Sequence, residues 1–173
     1  NLSRSYDISQ EQRSSLIDAI DNMTLSFKEL PLKQFPNLKS GLAEYFYEWL
    51  DHPSYDDFWR KLSIEDNHNK ICIPALNIGG WYDIFLGGTI SNYVGMTNHG
   101  ASDKARQGQK LIIGPWQHGS RGSSIAGDQY FGIRADAMAL GLDYIHLRWY
   151  DYWLKGIDNG ILDEPKVKIF VMG

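Results

Sequence analysis

Ile71-Cys72-Ile73-Pro74-Ala75-Leu76-Asn77-Ile78-Gly79-Gly80-Trp81-Tyr82-Asp83 and Lys110-Leu111-Ile112-Ile113-Gly114-Pro115-Trp116-Gln117-His118-Gly119 decide how this chain folds. Each is a short apolar run that reaches a glycine, and each is followed within a few residues by a group that handles protons. The runs are nearly continuous in apolar character rather than alternating, the mark of strands buried on both faces of a parallel sheet. Strands are predicted over 71–78 and 110–113. Pro74 lacks a ladder donor and is tolerable only near a strand start. Neighbouring parallel strands end at one crevice, where such sheets place their sites. Asp83 and His118 are therefore expected side by side.

Between the two runs, Phe85, Ile90, Tyr93 and Met96 predict a helix, weakened by Gly87 and Gly88 and stopped at Gly100. Residues 101–109 read as a polar loop. Beyond the second run, 119–129 is a Gly/Ser loop. Met138, Leu142, Ile145, Trp149 and Tyr152 or Trp153 then mark an amphipathic helix that ends at Lys155-Gly156, a basic residue at the negative end of the helix dipole. Asp158-Asn159-Gly160 is a turn. Lys166 to Met172 reads as a strand, expected to find no partner in this chain and to open a further β domain.

The part before residue 71 has a different character. Residues 1–7 are polar and expected to fray. Ser9-Gln10-Glu11-Gln12 is a capping box. Leu16, Ile20, Met23 and Phe27 follow at helical spacing, with an end expected before Pro31. Lys33 to Ser40 is a loop. A second helix after Gly41 carries Leu42, Tyr45, Phe46 and Trp49. Ser54-Tyr55-Asp56-Asp57 opens a third, with Phe58, Trp59 and Leu62. Glu65 to Lys70 reads as a polar linker. This helical, aromatic-rich part lacks strand alternation and reads as a lid or cap.

The chain has 173 residues, net charge −4 and 43% hydrophobic residues, the balance of a globular protein. An acidic balance argues against nucleic acid as partner. No apolar run approaches the ~20 residues that span a bilayer, so no membrane segment is expected. Cys72, the one cysteine, reads as a small buried hydrophobe. The start at Asn1 rather than Met, and the end inside a strand-like run, predict a fragment of a longer protein. Such a fragment exposes apolar edges, so self-association is expected. The compartment is not read from the sequence.

A Ser-His-Asp device needs an acid to orient an imidazole and an imidazole to accept a hydroxyl proton. In α/β-hydrolases the order is Ser, acid, His. Asp83 and His118 supply the last two in that order. Spacing alone leaves the bland readings open: an Asp after a strand also serves as a helix cap, and a loop His as a surface group. The nearest match to G-x-S-x-G is Gly122-Ser123-Ser124-Ile125-Ala126. It lacks the last glycine, follows the histidine and has no strand before it, so Ser124 is rejected as nucleophile. Cys72 in a strand is a poor substitute.

Gly79-Gly80-Trp81-Tyr82-Asp83-Ile84-Phe85 and Gly114-Pro115-Trp116-Gln117-His118 resemble the acid and histidine motifs of the CocE/NonD hydrolases. This group is related to the X-Pro dipeptidyl-peptidases (S15 peptidases), cocaine esterase and the α-amino-acid ester hydrolases. His52-Pro53-Ser54-Tyr55-Asp56-Asp57-Phe58-Trp59 is similar to the family's cap helix. Trp153-Leu154-Lys155-Gly156 and Pro165 to Gly173 resemble the end of its hydrolase domain and the start of its jelly roll. The resemblance runs from about Leu42 onward.

It implies an α/β chain: part of an α/β-hydrolase fold, with a helical cap segment (1–68), the C-terminal part of the hydrolase domain (69–157), and a linker with the first strand of a C-terminal β domain (158–173). It implies a serine hydrolase acting on a small ester or short peptide. Asp83 would orient His118, the general base, and the nucleophile and oxyanion hole would lie upstream. This chain alone is expected to be inactive. Phe85 falls where the family can place an acyl-pocket aromatic; ordinary packing is the alternative. Trp81 and Trp116 are expected to wedge the two loops in place. No cofactor or metal is implied. A rival reading is a non-catalytic interaction module with Trp49, Trp59, Trp149 and Trp153 as partner surface. A metal hydrolase using Asp83, His99 and His118 lacks any H-E-x-x-H or clustered ligand spacing.

Overall fold

The computed structural model describes residues 8–34, 43–120 and 122–172. The expected fraying of 1–7, the loop around Pro36, Gly41, Leu42 and Gly173 lie outside the described residues. The chain forms two compact units, Asn1–Leu62 and Ser63–Gly173.

The first unit is helical. Helix α1 (Gln10–Asp21) starts with the expected capping box: Gln12 N donates to Ser9 Oγ at 3.1 Å, and Ser9 N to Gln12 Oε1 at 2.9 Å. The predicted single helix to Pro31 breaks at Asn22. Its Nδ2 donates to Asp18 O at 3.0 Å, a side-chain competitor for the backbone ladder. A short α2 (Met23–Ser26) follows. Helix α3 (Glu44–Asp51) ends at His52, and α4 (Asp57–Leu62) opens where Asp56 Oδ1 accepts from Phe58 N. His52 Nδ1 bonds Asp56 Oδ2 at 2.6 Å while its ring stacks on Phe58 at 4.3 Å, which fixes the turn between them.

The second unit is a three-layer α/β arrangement. Residues 65–70, expected as a polar linker, form a 3-10 helix. Its His68 is buried and bonds Asn92 Oδ1 at 3.2 Å. Strand β1 (Ala75–Tyr82) begins only after Pro74, so it starts and ends later than predicted and runs through both glycines. Cys72 therefore precedes the strand and is exposed, not buried.

Helix α5 (Leu86–His99) covers the expected stretch and stops at Gly100. The predicted loop 101–109 contains α6 (Asp103–Gln107), capped by Ser102 Oγ on Ala105 N. Strand β2 (Gln109–Gln117) is longer than predicted, because Gly114, Pro115 and Trp116 continue it. The Gly/Ser loop folds a small hairpin of β3 (Ile125–Ala126) and β4 (Gln129–Tyr130). Helix α7 (Leu142–Lys155) starts after Gly141, whose left-handed φ of 71° excludes Met138 from it.

Strand β5 (Val167–Ile169) corrects the reading that this segment has no partner. It pairs in parallel with β2, giving the order β1-β2-β5. A periodicity argument had no means to see this, since the partner lies more than fifty residues upstream. Ile78 and Ile112, level with each other, face a core of Trp116, Ala137, Ile145, Trp149 and Ile161. Gly79 faces the other side, where α5 packs so closely that a Cβ would stand 3.2 Å from Thr89. Fully burying one such aliphatic side chain contributes about 1.5–3 kcal/mol.

Candidate active site

Asp83 follows the last residue of β1, and His118 follows the last residue of β2. Their meeting depends on register. Gly80 is level with Gly114, but Tyr82 is level with Gln117, so β2 carries one extra residue at Pro115 and Trp116. Such a bulge bends a strand and re-aims the side chains beyond it. Without it Asp83 would face Gln117; with it, the next residue on each strand is Asp83 on one and His118 on the other. Gly80 permits the bulge: a Cβ there would stand 2.1 Å from the Trp116 carbonyl oxygen.

The imidazole Nδ1 lies 3.2 Å from Asp83 Oδ2. Asp83 Oδ1 accepts from the Phe85 backbone N–H at 2.8 Å, closing a turn at the start of α5. The carboxylate thus divides its oxygens between a fixed peptide group and the ring. The Phe85 N–H and the His118 ring hold the carboxyl below its ordinary value, against partial burial, which pushes it up. An ionised carboxylate only accepts, so the proton between the pair sits on Nδ1, and Nε2 is the ring nitrogen turned away from Asp83. His118 is more exposed than Asp83, 58% against 21% of the side chain.

Two features hold the histidine loop. Ser120 Oγ donates to Gln117 O at 2.8 Å, and Gly119 takes the left-handed φ of 78° that the turn requires. The Phe85 ring stands edge-on to the imidazole, with centroids 4.9 Å apart at 80°. Phe85 is 60% exposed, so ordinary core packing does not describe it. The indole of Trp81 reaches across β2 and donates to Phe170 O at 2.7 Å, while that of Trp116 donates to Ala135 O at 2.8 Å.

Other candidates fall elsewhere. His99 ends α5, about 20 Å along the helix from the residues that follow Asp83, so Asp83, His99 and His118 do not converge. Ser124 is buried in the hairpin region. Trp149 is buried, and Trp153 packs against the same core. The sequence reading missed the bulge and the Phe85 peptide as a partner of Asp83. Pro115, which has no N–H to give the ladder, was the available signal for the first.

A profile of the X-Pro dipeptidyl-peptidase (S15) family matches residues 6–120. The chain belongs to this family. Among curated relatives, cocaine esterase of Rhodococcus sp. (strain MB1 Bresler) is 29% identical over 143 residues, covering 83% of this chain and 24% of the relative. The chain thus spans about a quarter of that protein's length. The mixed α/β architecture with a parallel sheet is compatible with an α/β-hydrolase-like fold. Among the described residues, no helix is long and apolar enough to cross a membrane.

Proposed function

We propose that this chain is part of a serine hydrolase that cleaves an ester or a short-peptide amide. Asp83 and His118 are two members of its triad. The observation that carries the reading is the Asp83 Oδ2–His118 Nδ1 contact at the paired ends of β1 and β2. It sets the imidazole tautomer that a general base needs. Membership of the S15 family supports the same reading.

In the proposed cycle, Nε2 takes the proton of a serine hydroxyl as its oxygen bonds to the substrate carbonyl. The resulting imidazolium, stabilised by Asp83, returns that proton to the departing alkoxide or amine. Water then repeats the sequence on the acyl-enzyme. The serine and the oxyanion-hole donors belong to sequence preceding Asn1 in a longer protein, and this chain alone is inactive. Phe85, beside the imidazole, contacts the acyl group. Residues 1–68 act as a cap segment, and 158–173 lead from the hydrolase sheet toward a further β domain. The substrate is a small ester or short peptide, with no nucleic acid or membrane as partner.

The test uses the longer protein and this chain in parallel. A fluorophosphonate labels a serine of the longer protein; Asp83→Asn lowers its kcat by about 10⁴ and His118→Ala by about 10⁶. This chain shows no His118-dependent hydrolysis of p-nitrophenyl acetate. Labelling that fails, or full activity in His118→Ala, would end the proposal.

A further inference from the structure

A cavity of ≈ 130 Å³ lies against β2 and β5, where their pairing runs out at Ile113 and Phe170. Ile112, Trp116, Ala135, Leu140 and Phe170 contribute to its lining, and Arg134 and Lys168 supply the charge. Neither Asp83 nor His118 lines it.

Its size and rigidity suit a small ring. An apolar cavity of about 150 Å³ binds benzene. The Trp116 indole is fixed by its bond to Ala135 O and folds back over Gly114, where a Cβ would stand 2.1 Å from the ring. The site is therefore built in the absence of a ligand rather than assembled around one.

The two cations differ. Lys168 is held by Glu164 at 2.6 Å. Arg134 is exposed, and among the described residues no hydrogen bond or ion pair engages it. A solvent-facing planar guanidinium at the rim of an apolar cavity matches the two oxygens of a carboxylate. An apolar body with one anionic end satisfies both parts of the site. A neutral ring leaves the guanidinium unused, and a bare anion leaves the cavity unfilled.

We propose that this cavity binds a compact apolar carboxylate, an aromatic or branched acid, with Arg134 engaging the carboxylate and the Trp116 side of the cavity taking the ring. The site is separate from the Asp83–His118 pair and does not depend on its catalytic reading.

The experiment titrates the 173-residue chain with sodium benzoate, benzyl alcohol and sodium acetate at constant ionic strength, followed by ¹⁵N NMR of the tryptophan indoles. Benzoate is expected to shift the Trp116 Nε1–H saturably, with Kd about 1 mM. Acetate and benzyl alcohol bind at least about tenfold more weakly, and Arg134→Gln weakens benzoate by about tenfold. His118→Ala leaves benzoate affinity unchanged. Non-saturating shifts, benzyl alcohol binding as well as benzoate, or full affinity in Arg134→Gln would each overturn the proposal. Affinity lost in His118→Ala would do so too, by placing the acid beside the Asp83–His118 pair.

Discussion

Tyr82 lies opposite Gln117, one residue further along β2 than the pairing of Gly80 with Gly114 leads to. That single-residue offset levels Asp83 with His118. The geometry of the pair is therefore set two to three residues before Asp83 and His118, in backbone that carries no chemistry of its own. Gly80 is the test of this. A methyl group there meets the Trp116 carbonyl oxygen, a backbone atom that moves only if β2 moves. Gly80→Ala is expected to destabilise the second unit by about 1–3 kcal/mol and to abolish the Asp83–His118 bond. Urea unfolding and the ¹⁵N shifts of His118 read the two effects. Unaltered shifts in a folded variant would refute the role of the bulge.

Asp83→Asn keeps an oxygen for the Phe85 N–H but removes the charge that fixes the tautomer. In the wild type, ¹⁵N spectra are expected to show His118 protonated at Nδ1 at neutral pH, with the proton moving toward Nε2 in the variant. The Asp83 carboxyl is held low in the fold. Its stabilising bonds are thus complete above the ordinary carboxylate range and are lost as pH falls through the lowered value. A His118 tautomer that is the same in both proteins would contradict this.

Glu164 gathers three cations from separate elements. Arg148 of α7 holds Oε1; Lys168 of β5 bonds Oε2 at 2.6 Å, and the buried Lys110 of β2 lies 3.8 Å from the same oxygen. The Lys168 and Arg148 bonds bring its carboxyl down from 4.5 to about 2, against its partial burial. The folded state binds its proton less tightly than the unfolded chain. This stabilisation is therefore present above pH 4.5 and is lost between 4.5 and about 2. Glu164→Gln is expected to flatten the pH dependence of unfolding in that window by roughly 2 kcal/mol, after screening at a partly exposed site. Denaturant curves at both ends of the window measure it; equal slopes in the two proteins would refute it.

Gly95 lies against His68 so closely that a Cβ would stand 2.1 Å from the imidazole Cε1. Gly95→Ala is expected to destabilise by about 1–3 kcal/mol. His68→Ala vacates the space and exposes Asn92 Oδ1, so the double variant is expected to be more stable than the sum of the two losses implies, by about 1 kcal/mol. Thermal unfolding of the four proteins gives the coupling. Strict additivity would mean that the ring is not what makes Gly95 necessary.

Much of the second unit was legible because its signals are local. The runs around Ile78 and Ile112, the spacing from Ile90 to Met96, and Lys155-Gly156 each report on neighbours within a few residues. The order acid then histidine, each after a strand, singled out Asp83 and His118, and the structure brings them within 3.2 Å. What escaped depends on distant atoms. The pairing of β5 with β2 joins residues 111–113 to 167–169. The break at Asn22 turns on one side-chain amide, and the exposure of Cys72 on where Pro74 lets the ladder begin. Periodicity assigns a segment its state but does not name its partner.

The Trp81 indole ties strand β1 to the carbonyl of Phe170 by passing over the strand between them. It works as a cross-brace, anchored two positions before the acid. A shift of β5 along β2 would therefore be felt at Trp81, two residues from Asp83, as well as in the ladder itself.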